Sequence, residues 1–199
     1  MTSARRPITL AIARKLAEGH ANAGLHHFNE LHQLVEESKR SGRTLDFNQV
    51  IVKAVPAATS LSFALELGLK VLHFQHFGTY PLTHDLVAIL GKLSAASQSE
   101  LERTYNEMFA RQEPPECTYF TVVMTSDTDT ALPQSMPDVS TFKAALEHAN
   151  DVFVTWRYLY EHLELRQSMG LHFKAVLCLL EAVHAAIQAY KGNARIVAG

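Results

Sequence analysis

The chain has two cysteines, one tryptophan, nine glycines and no long uninterrupted apolar run, and each scarcity removes a class of protein. Cys117 and Cys178 stand too far apart for a zinc-binding pair, and two thiols in 199 residues build no disulfide framework. Glycine never clusters into a phosphate-cradling loop, and no Gly-x-Ser-x-Gly elbow presents a nucleophilic serine. Charge is nearly balanced, with 18 Lys and Arg against 20 Asp and Glu, so any nucleic-acid binding has to come from a local patch. The N-terminus carries Arg5 and Arg6 but no apolar h-region, which does not read as a secretory signal. No run approaches the roughly 20 apolar residues that span a bilayer. A cytoplasmic protein without membrane association is the expectation.

What remains is an ordinary globular composition, 47% hydrophobic and 19% charged, in a length that suits one domain around one core. Apolar residues fall at helical spacing. From Ile8 to about Arg40, Ile12, Leu16, Ala23, Leu31, Leu34 and Val35 recur among polar positions, and Ser41-Gly42 supplies a stop. A second helix is expected from Asp46 to Phe77, bent near Pro56, with a seam of Leu61, Leu65, Leu69 and Leu72. Gly78 ends it. Pro81-Leu82-Thr83 leads into a third helix, with Thr83 as cap and Asp85 in a first turn that favours negative charge. Ser97 to Gln112 reads as a fourth, with Leu101, Tyr105, Met108 and Phe109 on one side.

The rhythm breaks between Glu113 and Pro137, where four prolines interrupt polar sequence. Within that stretch Thr118 to Met124 has strand composition, but no partner strand is visible, so residues 113–137 read as one long loop. Helical pattern resumes from Val139 to about Met169, and after Gly170 a last helix runs from Leu171 to Tyr190. Residues 191–199 read as a frayed tail. The fold class expected is all-α: an up-and-down bundle of five or six helices in a single domain over residues 1–199.

Eleven histidines raise the question of a metal. His73 and His76 are three apart, His26, His27 and His32 lie on the first helix, and Glu181 and His184 form a Glu-x-x-His unit. A di-iron bundle needs a second such unit, and the chain has none. No metal and no other cofactor is expected.

Chemistry concentrates instead in Phe153 to His162, where Trp156, Arg157, Tyr158, Tyr160, Glu161 and His162 share one predicted helix. Arg157 pairs with Glu161 at i,i+4 spacing or meets an anion. Trp156 reads as a core anchor, and the two tyrosines point in different directions, one toward a core and one toward an interface. His162 is either a helix-surface residue or a proton carrier. Glu66 and Lys70, also four apart, form a surface pair or reach across the bundle toward Arg157. His84 and Asp85 suit helix N-terminal chemistry or a histidine oriented by a carboxylate.

Three segments together resemble the HEPN family of helical proteins over roughly residues 60–190. They are Ala64-Leu65-Glu66-Leu67-Gly68-Leu69-Lys70, the junction Gly78-Thr79-Tyr80-Pro81-Leu82-Thr83-His84-Asp85-Leu86, and Trp156-Arg157-Tyr158-Leu159-Tyr160-Glu161-His162. The resemblance implies a homodimer that binds RNA or a nucleotide, with a protein partner as a further expectation. Many members are metal-independent ribonucleases, whose arginine is followed after four to six residues by a histidine, as Arg157 is by His162. In that mechanism the histidine moves a proton at a ribose 2′-hydroxyl and the arginine stabilises phosphate charge. Glu66, Lys70, His84, Asp85, Tyr158, Tyr160 and Glu161 then contact substrate or support the pair. The alternative of a different class is a non-catalytic helical interaction or dimerisation module.

Overall fold

A computed structural model describes residues 9–111, 119–123, 137–157 and 168–190. Among them are six helices and one two-stranded ribbon: α1 (Leu10–Ser41), α2 (Phe47–Phe77), α3 (Leu86–Leu90), α4 (Ala95–Arg111), β1 (Tyr119–Val123), α5 (Phe142–Arg157), β2 (Ser168–His172) and α6 (Phe173–Ala189). The chain is an all-α helical bundle.

Each boundary has a local cause. Thr9 caps α1 through Oγ1, which accepts from the Ile12 amide, and Gly42 closes it in the left-handed conformation at φ 64°. Asp46 caps α2, and Gly78 ends that helix the same way at φ 71°. α2 runs unbroken through Pro56. There the Thr59 hydroxyl donates to the carbonyls of Val55 and Pro56, in the turn where the proline lacks an amide hydrogen.

α1 and α2 form an antiparallel hairpin, with His20 against Phe63, Gly24 against Leu61 and Glu30 paired with Lys53. The expected seam of Leu61, Leu65, Leu69 and Leu72 is wholly buried. α6 lies parallel to α2, because Gly68 meets Val183 and, a turn or two later, Gln75 Nε2 donates to the Ile187 carbonyl at 3.2 Å. Phe28 and Phe173, 4.8 Å between ring centres, tie α1 to the start of α6. α4 covers another side of α6, and α5 packs on α2 and α3.

The ribbon departs from the sequence expectation. Tyr119 to Val123 is not loop but strand, paired antiparallel with Ser168 to His172 in the register Tyr119↔His172 to Val123↔Ser168. Its partner was invisible because Ser168-Met169-Gly170-Leu171-His172 has almost no strand composition, so Ser168 and Met169 read as the end of a helix. By length and composition alone α2 is apolar enough to cross a membrane, with a mean hydropathy of 1.5 in an 18-residue window of Asn48–Phe77. Half of that apolar window is buried against the other helices, as in the core helix of a bundle.

Candidate functional site

Glu66 sits in the middle of α2 and is 1% exposed. Its Oε1 accepts from Lys70 Nζ at 2.7 Å, one turn along the same helix, and from His84 Nδ1 at 2.9 Å, from the connection into α3. Of the two readings of this pair, the surface one is corrected, since Glu66 is internal, while the reach toward Arg157 falls on a side chain outside the described residues. Glu66 Oε2 is buried with no hydrogen-bond partner among the described residues. Lys70 keeps a narrow edge to water, whereas His84 is mostly exposed. The arrangement is a buried carboxylate whose two donors lead outward to the surface.

The junction is held from three sides. His73, one turn after Lys70, bonds through Nδ1 to the Thr79 carbonyl at 2.7 Å, which fixes Nδ1 as the protonated nitrogen. Thr83 Oγ1 accepts from the Asp85 amide, and Asp85 Oδ1 accepts from the Ala88 amide, so Asp85 rather than Thr83 is the cap of α3. From α5, Asn150 Oδ1 accepts from the Leu86 amide at 2.9 Å. Of the sequence-predicted residues, Glu66, Lys70 and His84 thus form one network, with Asp85 beside it occupied by capping. Arg157 closes α5, two helical turns beyond Asn150, and its side chain lies outside the described residues, as do Tyr158, Tyr160, Glu161 and His162.

A second polar cluster was not anticipated. At the point where β2 becomes α6, the His172 amide donates to Nε2 of His148 on α5 at 3.1 Å, and His172 Nδ1 accepts from the Ala175 amide at 3.2 Å. Both imidazoles act here as acceptors, so both must be neutral at those nitrogens. Burial holds His172 down to about 4, with the nearby His148 and Lys174 adding to the effect, and burial also lowers His148. Close by, Tyr105 donates to the Val139 carbonyl at 2.6 Å and the Lys174 ammonium rests 4.2 Å from the centre of the Phe109 ring. Burial raises the Tyr105 hydroxyl far above its ordinary range and pushes the Cys178 thiol up to about 11, so neither group ionises near neutral pH. Two isolated histidines separated by 24 positions carry no motif, which is why sequence reasoning passed over them.

The depressed histidines make stability pH-dependent. The unfolded chain takes up protons near pH 6.5, whereas folded His172 resists them down to about 4, so the unfolded state binds more protons between those values. Stability is therefore present above about pH 6.5 and falls as pH drops toward 4. His172→Asn retains a capping oxygen without the titration. Thermal melts from pH 7.5 to 5 are expected to shift downward in the native chain and to shift less in the variant. Parallel melts would remove His172 as the cause.

Among the described residues, no three histidine, cysteine, aspartate or glutamate side chains gather into a metal-sized group. No family model matches the chain, and no curated protein or solved structure is recognisably similar to it.

Proposed function

We propose that the chain is an HEPN-like helical protein that binds RNA or a nucleotide as a homodimer and cleaves RNA through Arg157 and His162. One observation carries the reading. The first two segments of the resemblance meet at the Glu66 carboxylate, and Asn150 ties α5, whose last residues Trp156 and Arg157 open the third segment, to the same junction. Chance similarity in separated segments gives no reason for the first two to converge on one buried carboxylate. Lys70 and His84 carry that network to the surface, where phosphate contacts are electrostatic.

Cleavage of a labelled single-stranded RNA is the test. The native chain is expected to cut without added metal, and Arg157→Ala and His162→Ala each to lose on the order of 100-fold or more in rate while keeping the native melting temperature. Activity unchanged in both variants would overturn the assignment of the pair. Absence of both cleavage and salt-sensitive RNA binding in the native chain would overturn the function.

A second reading is favoured by apolar side chains at the same junction. Leu82 is 95% exposed and Phe77 is 49% exposed, where a site devoted to phosphate gains nothing from them. On this reading the junction is a non-catalytic protein contact. Loss of self-association in Leu82→Asp, with RNA binding absent throughout, would select it.

A further inference from the structure

Away from that junction, a cavity of about 520 Å³ opens between α1 and α6 over a floor of α2. Its walls are apolar, and its floor is low because Ala64 and Gly68 present little or no side chain. Gly68 also sets the spacing, since a Cβ there would lie 2.9 Å from Val183. The one arginine of the lining stands at one end. α1 runs antiparallel to α2 and α6 runs parallel to it, which places Arg14 level with His184 at one end. Leu25, Leu177 and Met108 form the other end. The Arg14 Nε is buried and has no hydrogen-bond partner among the described residues.

We propose that this groove binds a long-chain alkyl carboxylate, head toward Arg14 and tail toward Leu177. The size lies within the usual range of small-molecule sites, and apolar walls with few polar groups are their usual chemistry. A buried guanidinium N–H without an acceptor is matched by a carboxylate, which forms the stronger, charge-assisted bond. Arg14 and Leu25 are eleven residues apart, about 16 Å of helix rise, which is close to the extended length of a carboxylate of about twelve carbons. Glu18 and Glu181 stand along the same lining and disfavour a second negative group midway, so the fit is to one head and one tail.

Titration calorimetry with dodecanoate and dodecylamine, both below micelle formation, tests this on the full chain. Dodecanoate is expected to bind one to one and at least tenfold more tightly than the amine. Arg14→Gln is expected to weaken dodecanoate by about tenfold or more and to erase that preference. Asn22→Trp fills the mouth from an exposed position, and Ala21→Phe fills the groove from its wall; each is expected to abolish binding with the helical circular-dichroism spectrum intact. No saturable binding, equal binding of the amine, or full binding by a folded Asn22→Trp would overturn the proposal. A dimer that dodecanoate does not perturb and that Asn22→Trp dissociates would assign the groove to a second copy instead.

Discussion

Gly19→Ala and Gly24→Ala, the same substitution made twice in α1, are expected to move stability in opposite directions, and Gly24→Leu to lower it by about 3 kcal/mol or more. Both glycines lie inside a helix, where replacement by alanine is worth roughly 0.5–1 kcal/mol through backbone entropy alone. At Gly19 nothing lies within 4 Å of an added Cβ, so that gain is realised in full. At Gly24 the Cβ would stand 2.6 Å from Leu61 Cγ, 2.8 Å from Cδ2 and 3.0 Å from the Leu61 backbone nitrogen. The Leu61 side chain is itself completely buried in the seam and has nowhere to turn. Overpacking of this kind costs about 1–3 kcal/mol, which exceeds the propensity gain, so Gly24→Ala is a net loss. Urea unfolding at constant slope reads the sign directly. A stabilised Gly24→Ala would mean that α1 and α2 are not held at the spacing described.

Glu66→Ala is expected to destabilise the protein by about 3 kcal/mol, the lower end of the loss when one partner of a buried ion pair is removed. Lys70 has only 15% of its side chain exposed and would lose its counter-charge beside a new cavity. His84, 62% exposed, can turn into water, so the cost falls on the lysine. Replacing both members, Glu66→Met with Lys70→Met, removes the charge together with its counter-charge and is expected to restore most of the loss. The comparison separates a pair that positions the junction from one that stabilises it. Were Glu66→Ala within about 0.5 kcal/mol of native, as most surface changes are, the carboxylate would not be the anchor of the His84 connection.

The sequence made the helices legible and left the tertiary polar contacts hidden, for a physical reason visible at single residues. Gly42 and Gly78 announce helix ends because only a residue without a Cβ readily adopts φ near +60°, and both adopt it. The leucine seam of α2 announces a buried face because its period is that of the helix. Lys70 and Glu66 were readable as a pair from their spacing, but spacing on one helix cannot say which face is covered, and burial of Glu66 depends on elements far away in sequence. The same holds for β1. Its composition marked a strand, while pairing of Tyr119 with His172 is a contact between distant positions that neither segment encodes locally. His148 and His172 are the extreme case, since each is ordinary until the other stands beside it.

His172 is at once the last residue of β2 and the cap of α6, with no connecting residue between the two. A ribbon can ordinarily slide by a pair of residues while keeping its faces. This one cannot, because any slip of β2 would drag the capping imidazole off the Ala175 amide and the His172 amide off His148. The start of a helix thus serves as the ratchet stop of a strand. A residue inserted or deleted between Ser168 and Ala175 is therefore expected to break the join rather than lengthen it.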